Sequence, residues 1–277
     1  MHKGHLALIE DTVTRAKQKN AIAAVYTFSN HPLEAFGKTV KLLMTAQQKE
    51  QTLLHAGIDQ VVLEKFTQQT AALPPRAFVE RLLARWDVAA VVVGFNYSFG
   101  AHAAGTPELL GEFGEEYGFE VLVHTPVELD GGTVSSTRIR RLIENGAVDE
   151  AQRLLTRPYQ LSGTVVRNLG NGVKLGFPTA NIEPDALLVL PQNGVYVTDA
   201  KTEHGVYRAI TNVGRNLTFG AEKVTVETHL LGFSGELYGK ALTISFLRRL
   251  REDRKFATME ALRDQIALDA ETALHVK

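Results

Sequence analysis

Residues 88–95 read VAAVVVGF, the most strand-like run in the sequence. A proline-led helical pattern, PPRAFVERLLARW (74–86), precedes this run, and another, TPELLGEFGEEYG (106–118), follows it. Continuous apolar runs between helices indicate strands buried on both faces, as in parallel sheets. Further strands of this kind are predicted at AIAAVYTF (21–28), VVLEKF (61–66) and FEVLVHTP (119–126). The first half is therefore expected to be a Rossmann-like α/β domain with helices on both faces of a parallel sheet.

The remaining helices of this half carry start and stop signals. The helix that opens the chain has its apolar residues on one face, namely Leu6, Ile9, Val13 and Ala16. In TAQQKEQTLLHAG (45–57), Thr45 and Gln48 have capping-box spacing, and Gly57 can end the helix in a left-handed turn. A last helix is predicted at SSTRIRRLIENG (135–146).

The period of the sequence changes after about Arg157, where apolar runs shorten, alternate and are separated by Gly, Asn and Pro. This pattern predicts a small closed antiparallel barrel, with strands at YQLSGTVV (159–166), NGVYVTDA (193–200), YRAITNV (207–213), KVTVETHLLGF (223–233) and KALTISFL (240–247). A C-terminal helix, TMEALRDQIALDAETAL (258–274), follows the barrel. We expect two domains, 1–157 and 158–277, joined by the helical stretch DEAQRLLTR (149–157).

The charge balance, the apolar content and the lack of cysteine limit the kinds of ligand and partner that the protein is expected to bind. The 30 Lys and Arg against 31 Asp and Glu give a formal charge of -1, so no overall basic field favours nucleic acid or an anionic membrane. No stretch is long and apolar enough to predict a membrane span. The absence of cysteine excludes disulfides, thiolate nucleophiles and cysteine metal sites, and it is consistent with a reducing cytoplasm. We therefore expect small-molecule ligands and a cytoplasmic location; oligomerisation is possible, but the sequence does not define it.

Three loops of the first half are candidates for binding phosphate. His2-Lys3-Gly4-His5 begins a helix, where free N–H groups and the helix dipole attract anions. The glycine-flanked loop that contains Asn96, and the hydroxyl- and arginine-rich start of the helix at 135–146, follow two later strands. Carboxyl ends of parallel strands are where such sheets bind ligands. Taken alone, the first motif is more often a solvated terminus than a binding site. A zinc site is less favoured still, because no third ligand is near.

A second set of candidates lies in the barrel half. Pro178-Thr179-Ala180-Asn181 follows a glycine-rich stretch with Gly163, Gly170, Gly172 and Gly176, where backbone amides can approach phosphate. Alone, this tetrapeptide would be read as a turn. Glu227, in VETHLL, occupies a strand position at the barrel mouth and could act as a general base. The alternative is an outward-facing carboxylate paired with a cation on a neighbouring strand.

These motifs, in this order, resemble the bacterial bifunctional FAD synthetases. His-x-Gly-His, the Gly-x-Asp-type loop and Ser-Ser-Thr-x-Ile-Arg are similar to the FMN adenylyltransferase half of that family, a nucleotidyltransferase domain. LGFPTANI (175–182) and the motifs after it resemble riboflavin kinases. In the family, a strand and a Gly-x-Phe-Asp-Gly turn precede the first histidine. Both are missing here, so we expect the first strand to be absent, through either a true start upstream of Met1 or a real truncation.

The resemblance implies roles for the barrel residues. Thr179 and Asn181 would hold Mg²⁺ and the ATP phosphates, with Gly172 and Gly176 in the phosphate loop, and Glu227 would take the proton of the ribityl 5′-hydroxyl. The family's flavin and nucleotide flap corresponds to Arg251 and Phe256. An arginine-rich strand end is otherwise most simply a solvated edge.

The resemblance also implies roles for the first half. His2 and His5 would bind ATP phosphates and stabilise charge on the leaving pyrophosphate. Ser136, Thr137 and Arg140 would bind the same phosphates from another helix start. The family's usual aspartate in the Gly-x-Asp loop is Asn96 here, which keeps hydrogen bonds but removes a charge.

The family's Pro-His-Pro reads Asn30-His31-Pro32 here, its Gly-Asp pair reads Asn168-Leu169, its basic loop residue is Val173 with Lys174 adjacent, and its Pro-Thr-Phe reads Leu217-Thr218-Phe219. With Asn96 and the missing start, these departures affect the adenylyl half more than the kinase half, whose Pro-Thr-Ala-Asn motif and Glu227 are intact. The expected function is conversion of riboflavin to FMN and of FMN to FAD, both with Mg-ATP. Three alternatives remain. They are a riboflavin kinase with a degenerate adenylyl domain, a non-catalytic flavin-binding regulator, and a pantetheine- or nicotinate-type nucleotidyltransferase fused to an unrelated barrel.

Overall fold

The computed structural model describes residues 1–167, 172, 175–218 and 221–276 of the chain, with backbone only at 215–218 and 221–224. The predictions made for Asn168, Leu169, Gly170, Val173, Lys174 and Phe219 lie outside the described residues. The chain divides into two compact units, Met1–Ser135 and Ser136–Lys277.

The first unit alternates helices and strands as predicted. Its main elements are α1 (Lys3–Gln18), β1 (Ala24–Phe28), α2 (Ala46–His55), β2 (Gln60–Glu64), α3 (Gln68–Ala71), α4 (Pro75–Leu83), β3 (Ala90–Gly94), α5 (Pro107–Tyr117) and β4 (Glu120–His124). Two short 3₁₀ helices, Pro32–Phe36 and Ala101–Ala103, follow β1 and β3. A small hairpin of β5 (Glu128–Leu129) and β6 (Gly132–Thr133), which the sequence pattern did not predict, ends the unit.

The parallel strands form two separate pairs. β1 pairs with β2 and β3 pairs with β4, both in parallel, but no ladder joins one pair to the other within residues 1–135. The sequence analysis expects a parallel sheet that lacks its first strand, and the structure has the parallel strands in two separate pairs. Helix α1 packs on β3, and Ile9 of α1 is buried with Ala23, Leu53 and Ile58 in a core beside the first pair.

The predicted signals of α2 are confirmed. Thr45 Oγ1 accepts a hydrogen bond from Gln48 N at 3.2 Å, and Gln48 Oε1 accepts one from Thr45 N at 3.0 Å. These reciprocal bonds satisfy two donors that a helix start otherwise leaves unpaired. Gly57 follows the helix with φ +94°, the left-handed conformation that only glycine adopts without strain.

The second unit contains a closed antiparallel barrel of six strands, in the order β10-β11-β8-β7-β12-β9. The strands are β7 (Tyr159–Val166), β8 (Ala180–Ile182), β9 (Gly194–Thr202), β10 (Gly205–Thr218), β11 (Ala221–Leu230) and β12 (Ala241–Arg251). Five of the six strands match the sequence prediction. The sixth, β8, has three residues inside the Pro-Thr-Ala-Asn motif, too few to show alternation.

The interior of the barrel is apolar except for a row of threonines. Tyr196, Phe246, Leu161 and Ile244 are fully buried. Thr211 Oγ1 lies 2.8 Å from Thr198 Oγ1 and 3.0 Å from Thr228 Oγ1, and all three side chains are inaccessible to solvent. The three hydroxyls therefore satisfy one another across β9, β10 and β11.

Three helices accompany the barrel: α6 (Ser136–Glu144), α7 (Val148–Leu154) and α8 (Met259–His275). Because α6 and α7 belong to the second compact unit, this unit begins earlier than residue 158, and the predicted domain boundary stays a prediction. Among the described residues, no helix combines the length and apolar composition that crossing a bilayer requires.

Candidate active sites

Glu227 stands in a row of polar side chains on the outside of the barrel. In the strand register it lies directly opposite Asn181 of β8 on one side and Asn212 of β10 on the other. Register partners in antiparallel strands point to the same face, with Cβ atoms about 5 Å apart. The structure therefore places a carboxylate between two amides.

The loop before β8 folds tightly onto the same place. Phe177 N donates to Gly172 O at 2.9 Å, and a Cβ at Gly172 would collide with the Phe177 carbonyl and lie 3.2 Å from Thr179 Oγ1. Asn181 Nδ2 in turn lies 3.5 Å from Thr179 Oγ1. The structure thus brings Gly172, Thr179 and Asn181 together with Glu227. Gly176 lies in the turn between Gly172 and Thr179 and has φ +83°.

The surroundings of Glu227 make it a better proton acceptor. Burial of the side chain raises the pKa of Glu227, and the nearby carboxylate of Asp253 raises it further. A carboxylate with a raised pKa takes a proton from a hydroxyl more readily. Both direct strand neighbours of Glu227 are asparagines.

The donor set around Thr179 suits a hard divalent cation. Thr179 and Asn181 offer uncharged oxygen atoms, and Glu227 adds a carboxylate opposite Asn181. No group of three or more His, Asp or Glu arranged to hold a metal occurs in the part of the chain that the structure describes. Mg²⁺ in nucleotide sites is commonly held by one or two protein oxygens, waters and phosphates, so this sparse set fits such an ion.

Arg251 and Phe256, assigned to the flap by resemblance, lie at the end of β12 and just beyond it. The Arg251 guanidinium lies 5.7 Å from the Phe256 ring centre, and that of Arg254 lies 4.8 Å from it. Arg251 also donates to Asp269 of α8, with Nη2 2.7 Å from Oδ2. Sequence reasoning missed Asp269, which has only helical spacing to indicate it.

In the first unit, His2 and His5 stack on each other with ring centres 3.6 Å apart. His2 Nδ1 accepts a hydrogen bond from His5 N at 3.2 Å, so in the neutral ring Nε2 carries the hydrogen. Burial is the main cause that lowers the pKa of His2 to about 4. The pKa of His5 is lowered too, by the protein around it and by His2, although its side chain reaches solvent. At neutral pH the pair therefore presents uncharged N–H donors.

Lys49 is a residue that sequence reasoning missed. It belongs to α2, and its Nζ donates to the Phe28 carbonyl at the end of β1 at 2.7 Å. Burial lowers the pKa of Lys49, and its charge acts on His5. The cation thus lies near the stacked histidines, but it is 44 positions from His5 in the sequence, so no local pattern indicates it.

The other predicted residues of this half lie at turns and at a helix start. Asn96 is exposed in the turn after β3, with its Oδ1 3.5 Å from where a Gly94 Cβ would lie. Asn30 fixes the loop after β1, because its side chain accepts from Phe66 N at 2.7 Å and donates to Phe66 O at 3.1 Å. Ser136, Thr137 and Arg140 lie in the first turns of α6, which opens the second unit.

Comparison with known proteins gives matches over both halves. A family model described as riboflavin kinase matches residues 155–277, and one described as FAD synthetase matches residues 1–138. The bifunctional riboflavin kinase/FMN adenylyltransferase of Listeria monocytogenes is 33% identical over 273 residues, 97% of this chain and 87% of the relative. That of Escherichia coli K12 is 32% identical over 278 residues, 99% of this chain and 88% of the relative. A crystal structure described as a macrolide-efflux protein from Streptococcus pneumoniae has a TM-score of 0.93 and 31% identity, covering 100% of this chain and 91% of that one.

Proposed function

Because the chain belongs to the bifunctional riboflavin kinase/FMN adenylyltransferase family, we propose that the barrel phosphorylates riboflavin to FMN and that the first domain adenylylates FMN to FAD. The chain is an enzyme of flavin-nucleotide synthesis, and domains of both kinds are present. We assign them to residues 1–157 and 158–277. The cytoplasmic location expected from the sequence stays a prediction.

In the kinase reaction Glu227 is the general base. It accepts the proton of the ribityl 5′-hydroxyl while the oxygen attacks the γ-phosphorus of ATP, and ADP leaves as the bond to its β-phosphate oxygen breaks. The observation that carries this proposal is the position of Glu227 opposite Asn181, with a pKa that burial raises. The absence of a side chain at Gly172 lets the loop pack closely against Phe177 and Thr179.

Enzymes of these two families generally need a divalent metal ion. We propose Mg²⁺, held by Thr179 and Asn181, because both offer the uncharged oxygen that this ion accepts beside phosphates and water. Such an ion neutralises phosphate charge. Arg251 and Phe256 border the flavin, with Arg251 acting through the position of the Phe256 segment because Asp269 already binds its guanidinium.

In the adenylyl reaction an FMN phosphate oxygen attacks the α-phosphorus of ATP, and pyrophosphate leaves. Uncharged His2 and His5 donate hydrogen bonds to the phosphates, and Lys49 adds positive charge near them. Asn96 contributes hydrogen bonds from the turn after β3. For Ser136, Thr137 and Arg140 we keep the phosphate-binding roles that the family resemblance implies.

The test separates the two reactions by their starting flavin. The chain is incubated with Mg-ATP and either riboflavin or FMN, and the flavins are separated and counted over time. Glu227→Gln is expected to lower FMN formation by at least about 100-fold and to leave FAD formation from supplied FMN intact. His5→Ala is expected to do the reverse.

Matched variants control for damage to the fold. Glu203→Gln changes a surface carboxylate paired with Lys240 at 3.0 Å, and His55→Gln changes an exposed histidine of α2. Both should keep both activities. FMN without FAD from the unmodified chain would support a kinase with a degenerate adenylyl domain. Flavin binding without FMN or FAD formation would contradict the proposed enzymatic function and support a non-catalytic flavin-binding regulator.

A further inference from the structure

Asn212 has a buried oxygen that the described structure leaves unsatisfied. It lies in β10, in the stretch Thr211-Asn212-Val213-Gly214, and its Oδ1 is shielded from solvent without a hydrogen-bond partner among the described residues. Buried polar atoms are nearly always paired in native proteins. An amide oxygen left in this state is suited to accept a hydrogen bond from a bound ligand.

The strand register places the Asn212 side chain next to the candidate kinase site. It is the register partner of Glu227 on the side opposite Asn181. If phosphate and metal lie toward Thr179 and Asn181, the flavin polyol whose terminal hydroxyl meets Glu227 extends toward Asn212. On this arrangement, Asn181 lies at the ATP end of the site, Glu227 at the attacking hydroxyl and Asn212 along the ribityl chain of the flavin.

The neighbour of Asn212 on the same face of β10 is Gly214, two residues on. A Cβ at Gly214 would lie 3.3 Å from Asn212 Nδ2 and 3.7 Å from Asp253 Oδ2. The amide nitrogen thus lies close to Gly214, and the amide oxygen is the atom without a partner among the described residues. A side chain at Gly214 would press on the amide, so glycine at this position lets Asn212 keep its place.

On the basis of the proposed kinase function, we propose that Asn212 Oδ1 binds a ribityl hydroxyl of riboflavin and so presents the 5′-hydroxyl to Glu227. The ligand group must be a donor, because an amide oxygen only accepts. A flavin offers two kinds of donor, the polyol hydroxyls and the N3–H of the ring. Proximity to Glu227, which meets the end of the polyol, favours the hydroxyls.

The test compares riboflavin with lumiflavin, which has the same ring and N3–H but no ribityl chain. Asn212→Leu keeps a side chain of similar size and removes the acceptor. We expect the variant to raise the KM and the dissociation constant for riboflavin by roughly 3- to 10-fold, the effect of one hydrogen bond. The KM for ATP and the dissociation constant for lumiflavin should not change. Lys201→Leu, at an exposed position of β9, is the matched control.

Each outcome decides the role of Asn212. An unchanged riboflavin KM overturns it, and so does equal weakening of riboflavin and lumiflavin. If Asn212→Leu does not fold, Asn212→Ser replaces it. In addition, the unmodified chain is tested with a flavin that carries a plain alkyl chain in place of the ribityl chain. This flavin must bind more weakly than riboflavin, or the proposal fails. Absence of FMN formation by the unmodified chain overturns instead the kinase function on which the proposal rests.

Discussion

Asp269 of α8 binds Arg251, the last residue of β12, through two guanidinium nitrogens. Arg251 Nη2 lies 2.7 Å and Nε 3.0 Å from Asp269 Oδ2, and the two side chains are only 19% and 6% exposed. Gln265 Nε2 donates to the other carboxylate oxygen at 2.8 Å. The C-terminal helix is thereby attached to the strand end that precedes the Phe256 segment.

Removing Asp269 should destabilise the second unit. Asp269→Ala leaves the Arg251 charge buried without its partner, which typically costs about 3–5 kcal/mol. Urea denaturation of the full chain measures the loss. Asp264→Ala, an exposed carboxylate on the same helix, is the control and should change stability by less than about 0.5 kcal/mol. Equal effects of the two substitutions would contradict the argument.

The stability of the barrel should depend on Thr211, the central residue of the threonine row. Thr211→Val leaves the hydroxyls of Thr198 and Thr228 without the partner they share, at a cost of about 1–3 kcal/mol. Thr243→Val breaks a 2.9 Å bond to Ser162 where both side chains are partly exposed, and water can replace it. We expect a smaller loss for this control in the same denaturation experiment, and a reversed order would refute the expectation.

Gly172→Ala should weaken ATP binding. The new Cβ meets the Phe177 carbonyl, so the loop must move away from Thr179. Overpacking of this kind costs about 1–3 kcal/mol, and if the cost falls on ATP binding the KM for ATP rises roughly 5- to 150-fold. Gly232→Ala, at a φ of +72° with open space around it, carries backbone strain without the collision. Its KM for ATP should match that of the unmodified chain.

Acid should destabilise the first unit through His2. Its folded pKa of about 4 lies below the ordinary value of 6.5, so between these values the unfolded chain binds more protons than the native state. This contribution is complete above pH 6.5 and is lost as the pH falls toward 4, by at most about 1.4 kcal/mol per pH unit. Fluorescence of Trp86, the single tryptophan, follows unfolding of this unit. His2→Gln should flatten the pH dependence, whereas His55→Gln should leave it unchanged.

Local patterns predicted most of the fold. The Thr45 capping box, the Gly57 turn and five barrel strands follow from spacing within a few residues, and the structure has all of them. Features that depend on distant partners had no such signal. The bond between Arg251 and Asp269 joins residues 18 positions apart, and the position of Lys49 near His5 depends on how α2 packs after β1.

The sequence predicted some residues of the candidate kinase site but not all of them. Motif resemblance singled out Thr179, Asn181 and Glu227, but only the strand register reveals that Asn212 lies beside Glu227. Likewise, alternation of strands and helices predicted a parallel sheet, while the division into two pairs is a property of backbone hydrogen bonds. Spacing along one chain does not report which strand edges meet.

The shortest strand of the barrel, β8, also has the fewest register pairs with its neighbours. β8 joins β7 through two register pairs and β11 through three, whereas β10 and β11 share ten. A ring of strands opens most easily where the fewest hydrogen bonds must break. Thr179 directly precedes β8 and Asn181 lies in it, so a ligand bound to these two residues would hold the strand with the fewest register pairs in the barrel wall. If nucleotide binds there as proposed, we expect it to stabilise the closed barrel and to slow hydrogen exchange at the β8 amides.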